Sequence, residues 1–344
     1  MNRGRLLRVV AALMVGGATI AILVRTGTGP GDILGFASPR AHVITLTILV
    51  LDLVCRGLRM VILSRTLGFR VRLRTAIASQ LAGETAAALT PARVGSDAGR
   101  MVVLRRTGVD LGSSGAIVVA EMAFEVPALL LVASTLMAVA PATRLAWPGI
   151  LAYAVIVGIT TVSAVLLARS AGMHPPAWYS WLRLPHSRWN QLRSASSDFV
   201  SACSALGHLR AGTVVVILTL STLHIVCRLA LLPALLLDSL TASLVIPAVA
   251  WPLLLLYAGA LVPIPGGGGV LELGFAGSIG ELLGPAAGAA LLWWRIYTFH
   301  GLVLAGGIVL FAATIAPRSA RNAPPDDCLE DNAARQLPRA LDPR

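Results

Sequence analysis

The eleven residues Thr90-Pro91-Ala92-Arg93-Val94-Gly95-Ser96-Asp97-Ala98-Gly99-Arg100 combine a helix break with two arginines. Pro and Gly interrupt a helix and leave backbone N–H groups free where the next helix starts, a setting that favours an anion. Arg93 and Arg100 carry planar forks that match a phosphate in two-pronged fashion. The competing reading is an ordinary loop, with arginines that only set membrane orientation and Asp97 as a helix cap. A second stretch, Pro263-Ile264-Pro265-Gly266-Gly267-Gly268-Gly269, is followed by Glu272. Four glycines between apolar segments do not serve helix stability. They permit tight turning and close backbone approach, or, on the plainer reading, a flexible exposed loop.

A third set of charges lies inside apolar runs. Asp52 and Arg56 are four apart, with Arg59 a turn below. Glu121 and Glu125 are four apart, as are His224 and Arg228; Glu84, Arg295 and His300 are also intramembrane by position. A spacing of four puts both members on one helix face. Charges at such depth are costly and face a protein or water-filled interior. Simple internal pairing, such as Asp52 with Arg56, is the alternative, and Arg59 and Arg100 sit where snorkelling to an inner interface is open to them. No catalytic or metal set emerges. The six histidines are scattered, and there is no H-E-x-x-H or P-loop motif. Cys55, Cys203, Cys227 and Cys328 have no metal spacing and read as reduced. No cofactor is expected.

The elements that position these residues must be membrane helices. Hydrophobic residues make up 56% of the chain, charged residues 13%, and mean hydropathy is +0.79. A soluble core cannot hide so many long apolar runs. The formal charge of +12 comes from 28 basic residues, all arginine. Many flank apolar runs, so they read as orientation signals and anionic-lipid contacts rather than as a nucleic-acid surface. Six full spans are predicted, over 6–24, 41–63, 113–140, 148–168, 212–237 and 285–314. Arg3, Arg5 and Arg8 before the first run resemble a signal peptide, but no small-residue cleavage site is clear before Arg25, so a retained helix is expected. Residues 75–108 and 244–284 read as broken hairpins, with Pro91, Gly95, Pro263, Pro265, Gly266, Gly267, Gly268 and Gly269 as hinges. The segment 169–211 reads as a cytoplasmic interfacial region, with a helix near 187–210 lying on the inner surface. The tail 317–344 reads as disordered and cytoplasmic.

Residues 41–140 align on 213–312 without a gap at an offset of 172, with 22 of 100 positions identical. Val54-Cys55-Arg56 falls on Val226-Cys227-Arg228, and Ala88-Leu89-Thr90-Pro91 on Ala260-Leu261-Val262-Pro263. A fixed offset in a membrane protein predicts two related halves around a pathway. Arginine placement makes the first of each pair of spans run in opposite senses, so the halves are inverted, with both termini cytoplasmic. By the same offset Arg100 falls on Glu272, which suggests that these two opposite charges meet. The domain organisation is therefore a transmembrane domain over 1–316, holding repeat A (41–140) and repeat B (213–312).

Leu89-Thr90-Pro91-Ala92-Arg93-Val94-Gly95 with Arg100, and Pro263 to Val270 with Glu272, resemble the paired signatures of the lysylphosphatidylglycerol synthase transmembrane-region family. This is the flippase part of bacterial multiple peptide resistance factors and their stand-alone relatives, and the resemblance covers roughly residues 5–315. It implies a polytopic protein of the bacterial inner membrane that moves a lipid between leaflets. Full-length relatives add a cytoplasmic domain that transfers an amino acid to phosphatidylglycerol. The residues after the last span are too few for one, so the synthase activity is not carried over.

The sequence thus predicts an all-α polytopic membrane protein with an inverted repeat and two re-entrant hairpins. It is expected to be no enzyme, and to translocate an anionic phospholipid or a polyprenyl-phosphate-linked substrate. Arg93, Arg100, Arg56, Arg228 and Arg295 supply the positive field; Glu84, Glu121, Glu125 and Glu272 balance it or carry a coupling proton. Expected partners are membrane lipids and a soluble or membrane-bound synthase, with no nucleic acid. Two alternatives stay open: a membrane enzyme or accessory subunit of lipid or glycan assembly with Glu121 and Glu125 in chemistry, and a scaffold that recruits a synthase.

Overall fold

The computed structural model describes residues 17, 19–21, 23–25, 27–90, 93–140, 144, 147–170, 186–258 and 269–315. Every regular element among them is helical. Pro30–Gly35 forms the short α1. Then come α2 (Pro39–Thr66), α3 (Leu73–Ala88), α4 (Gly95–Arg105), α5 (Leu111–Val139), α6 (Trp147–Arg169), α7 (His186–Gly207), α8 (Ala211–Leu235) and α9 (Ala242–Ala258). The last part of the chain is broken into α10 (Val270–Ala276), α11 (Ile279–Leu283), a 3₁₀ turn Gly284–Ala286, α12 (Ala287–Arg295), a π turn Ile296–His300, and α13 (Gly301–Ile315). Most of 6–24, the hinge residues Pro91, Pro263, Pro265, Gly266, Gly267 and Gly268, and the tail 317–344 lie outside the described residues.

Among the described residues four helical stretches are long and apolar enough to cross a bilayer: α5, α6, α8 and the composite run Ile279–Ala313. They fall on four of the expected spans. Helix α2 has 28 residues, about 42 Å at ~1.5 Å each. Its start is fixed locally: Ser38 Oγ accepts the Ala41 N–H at 3.2 Å, and Pro39 opens the first turn. Asp110 caps α5 likewise, accepting from the Ser113 N–H at 2.7 Å.

Helices α2 and α8 are principal neighbours and run antiparallel. Asp52 meets Arg228, and seven residues further along α2, Arg59 meets Ser221, seven residues back along α8. Helices α3 and α4 form a tight hairpin. A Cβ on Gly99 would sit 2.6 Å from the Ala82 carbonyl oxygen, and one on Gly95 2.7 Å from that of Ala86. The Gly95-x-x-x-Gly99 spacing therefore serves backbone contact. Helix α13 closes on the same hairpin, where a Cβ on Gly306 would lie 1.9 Å from Leu81 O.

Helix α7 is found where the apolar periodicity put it, but its apolar face meets protein rather than the membrane surface. Trp189, Phe199, Ala202 and Leu206 are buried, the last three in one cluster with Met60, Leu104 and Ile117. Gly112 permits the approach, since a Cβ there would be 2.2 Å from Ala195 O. Apolar side chains at helical spacing look the same whether lipid or a neighbouring helix will cover them.

Two further apolar clusters, around Leu129, Ile150, Ile225 and Tyr257 and around Leu235, Phe275, Leu291 and Trp294, pack the other end of the bundle. The buried charges lie between, near the midpoints of α2, α5 and α8.

Candidate functional site

Helix α2 presents Asp52, Arg56 and Arg59 along one face, each four percent exposed or less. Asp52 does not pair with Arg56. It turns across to α8, where its Oδ1 accepts from His224 Nδ1 and its Oδ2 lies 3.7 Å from Arg228 Nη1. His224 is the residue 172 positions on from Asp52, and Arg228 the one 172 positions on from Arg56. The two aligned arginines converge on one atom. Arg56 Nη1 donates to Glu84 Oε1 at 2.9 Å, and Arg228 Nη2 donates to the same oxygen at 3.1 Å. Glu84 Oε2 accepts from Arg93 Nη2 at 2.6 Å, so three guanidiniums hold one carboxylate. Charges this deep are tolerable only when paired and hydrogen-bonded.

Gln80, one turn before Glu84 on α3, joins this cluster to a second. Its Oε1 accepts from Arg56 Nη2 at 3.1 Å, and its Nε2 donates to both oxygens of Glu121 at 3.0 and 3.1 Å. Glu121 also accepts from Arg59 Nε at 3.3 Å and lies 3.6 Å from Arg100 Nη1. Glu125, a turn further along α5, accepts from Arg59 Nη2 at 3.5 Å and lies 4.0 Å from His224 Nε2. Arg59 Nη1 donates to Ser221 at 3.0 Å.

Glu272 and Arg100 do not meet. Glu272 pairs with Arg295 Nε at 2.8 Å, and Arg100 with Glu121. The offset aligns backbone positions, but a side chain takes whichever opposite charge its own neighbours supply. Arg295 also lies over the Phe299 ring, 4.4 Å from its centroid. Glu272 additionally accepts the Gly269 N–H at 2.8 Å, closing the start of α10. Gly269 has φ +85°, a left-handed conformation that favours glycine. At the first break the left-handed position falls on Arg93 instead, with φ +58°. Gly95 is required by crowding against Ala86 and Thr90, and its N–H donates to Thr90 Oγ1 at 2.8 Å. A left-handed arginine costs about 1 kcal/mol or more, and is held here by its ion pair to Glu84.

These groups surround a cavity of about 410 Å³. Its wall carries five arginines (Arg56, Arg93, Arg100, Arg228, Arg295) against three carboxylates (Glu84, Asp97, Glu125). The lining is therefore positive by two charges when His224, which also faces the cavity, is neutral. Glu121 and Glu272 lie behind the wall, fully buried, as props for the arginines rather than as lining. Arg100 Nε, Arg228 Nη1 and Arg295 Nη2 are buried with no hydrogen-bond acceptor among the described residues. The lining is otherwise largely apolar and aromatic, including Met122, Ile156, Val157, Leu256 and Leu271, with the rings of Tyr153 and Tyr257 edge to face at 5.5 Å. Helix α6, which supplies Ile156 and Val157, is the least buried of the spans.

Gln80, Ser221, Tyr153 and Tyr257 were not among the expected site residues. Gln80 had a legible signal, four residues before Glu84 on the same face. A lone serine and two tyrosines in apolar runs carried none. Outside the membrane segments, Asp238 accepts the Ser38 N–H at 3.2 Å, and the hydroxyl and N–H of Ser38 hold its carboxyl below the usual carboxylate range.

No curated protein and no solved structure matches the chain. What does match is the family model described as the lysylphosphatidylglycerol synthase TM region, over residues 6–306, and the chain belongs to that family, as a multi-pass membrane protein with a lipid-related function.

Proposed function

We propose that this protein is a lipid translocase that carries an anionic phospholipid, or another lipid-linked phosphate, between leaflets of the bacterial cytoplasmic membrane. The observation that carries the reading is the cavity wall: five arginines against three carboxylates, with unused N–H donors on Arg100, Arg228 and Arg295. Buried guanidinium N–H groups without acceptors are costly, and a phosphate supplies several acceptor oxygens at once. The apolar residues of the same lining suit the glycerol and first methylenes of an amphiphile. A water-soluble anion has no use for them.

The reading includes an inverted repeat with two re-entrant hairpins, α3–α4 and α9–α11. Support comes from the antiparallel α2–α8 pair, in which Asp52 binds the residue at its own aligned position, His224. Two copies of one helix that meet across a two-fold axis in the membrane plane bring aligned positions together near that axis. Both termini are placed in the cytoplasm. Exposed arginines at the α2–α3, α4–α5 and α7–α8 junctions (Arg65, Arg70, Arg72, Arg105, Arg106, Arg210) fit this orientation. In this reading the chain itself is no enzyme, and a separate synthase supplies its lipid.

The test is a leaflet-asymmetry assay in proteoliposomes across several anionic lipids. Wild type is expected to move a fluorescent or isotopically labelled anionic lipid. Arg100→Ala and Arg228→Ala are each expected to slow it roughly ten- to a hundred-fold, the worth of one charge-assisted hydrogen bond of about 1.5–3 kcal/mol. Equal rates for all three proteins would remove these residues from the site. Chemical conversion of the lipid by purified protein would replace transport with catalysis.

A further inference from the structure

We propose that His224 is a proton-binding site coupled to the anion cavity, so that the substrate anion and one proton are bound and carried together. This rests on the translocase reading above and adds the coupling ion.

The geometry is that of an imidazole between two carboxylates, one sealed and one facing the cavity. On the sealed side, Asp52 is fully buried and takes the hydrogen bond from Nδ1. An ionised carboxylate only accepts, so Nδ1 carries the hydrogen and Nε2 is left with its lone pair. On the cavity side, Nε2 faces Glu125 Oε1 at 4.0 Å. Two acceptors then oppose each other with nothing between them. A proton added from water to Nε2 turns that opposition into an ion pair and lets Glu125 move toward His224 and away from Arg59, now 3.5 Å distant.

The other charged groups set when the proton binds. Arg56 on α2 opposes an imidazolium, and Arg228, one turn along α8 from His224, is a second cation lining the same cavity. Asp52 on α2 and Glu125 on α5 favour the imidazolium. Glu84 on α3 is engaged by both arginines, while Tyr153 on α6 and Tyr257 on α9 sit in the field of Glu125. Arg295, from the α12 end of the last span, lines the same cavity. The cavity wall carries two more positive than negative charges. An anion on Arg100 and Arg228 cancels that excess, and the proton follows it in. By linkage the effect is reciprocal: the proton tightens the anion.

The test uses detergent-solubilised full-length protein with short-chain phosphatidylglycerol and phosphatidic acid as probes. Binding heats are measured in two buffers of different ionisation enthalpy, which counts protons taken up. Wild type is expected to take up about one proton per anion at pH values between the imidazole titrations of the free and the anion-bound protein, with affinity falling roughly ten-fold per pH unit there. His224→Gln is expected to bind with no proton uptake, and Glu125→Gln with less than half. Wild-type binding without proton uptake would overturn this inference and leave the translocase reading standing. Failure of wild type to bind either lipid would overturn both. Where His224→Gln fails to fold, Glu125→Gln decides, and undiminished proton uptake in it rejects the site.

Discussion

The two stretches related by the 172-residue offset share a frame and differ in chemistry. On α2 and α8 the aligned residues stay polar: Asp52 with His224, Arg56 with Arg228. In the hairpins and the spans that follow they diverge. Gln80, Glu84, Glu121 and Glu125 of the first stretch correspond to Pro252, Leu256, Trp293 and Tyr297 of the second. Glu84 and Leu256 line the same cavity, one charged and one apolar. In the proposed translocase this difference divides the site for an amphiphile: α2 and α8 keep the buried pairs that join them, and the second stretch carries apolar residues where the first carries charges. Stability is divided unevenly too. Glu121 is held by Gln80, Arg59 and Arg100, whereas among the described residues Glu272 has the guanidinium of Arg295 and a backbone N–H.

The largest effect that can break this comparison is at Glu121. Glu121→Ala leaves Arg59 Nε and Gln80 Nε2 without their acceptor and removes the carboxylate 3.6 Å from Arg100, and is expected to cost about 3–5 kcal/mol, seen as loss of monodisperse protein in detergent. Glu272→Ala is expected to cost less, because Arg295 keeps the Phe299 ring. Equal losses would mean that the first half is no more tightly knit than the second. Next comes the junction of the halves. Asp52→Ala and His224→Ala are expected to show a coupling of roughly 1–3 kcal/mol in a double-mutant cycle of thermal unfolding. Additive effects would deny the pair its role in joining them.

Backbone contact separates the hairpin from the outer helix by a smaller amount. Gly99→Ala places a Cβ 2.6 Å from Ala82 O and is expected to cost about 1–3 kcal/mol, while Gly158 on α6 has nothing within 4 Å. Gly158→Ala should be neutral or stabilise by up to ~1 kcal/mol. The smallest effect concerns Asp238. Its carboxyl is held below the usual range, so its contribution is present at neutral pH and is lost as pH falls through the folded value. Asp238→Asn should flatten that acid limb of the stability profile without changing transport.

Much of the helical layout could be read directly from the residues. Long apolar runs with flanking arginines gave α5, α6 and α8 nearly to their ends, because nothing but a helix satisfies its backbone in lipid. Pairs spaced by four identified most of the buried charges for the same reason, that a charge is too costly in an apolar run unless it faces inward. The composition, the spans, the offset and the family signature were all fixed by local chemistry and counting.

Partner choice was decided only by the tertiary structure. Asp52 had Arg56 a turn away and took His224 from another helix; Glu272 had an aligned arginine and took a different one. The apolar face of α7, equally suited to lipid, went to a protein groove opened by Gly112. Electrostatic pairing and packing act over a few ångströms in space, and the chain order of an antiparallel bundle does not reveal which residues fall within that distance until the helices are packed.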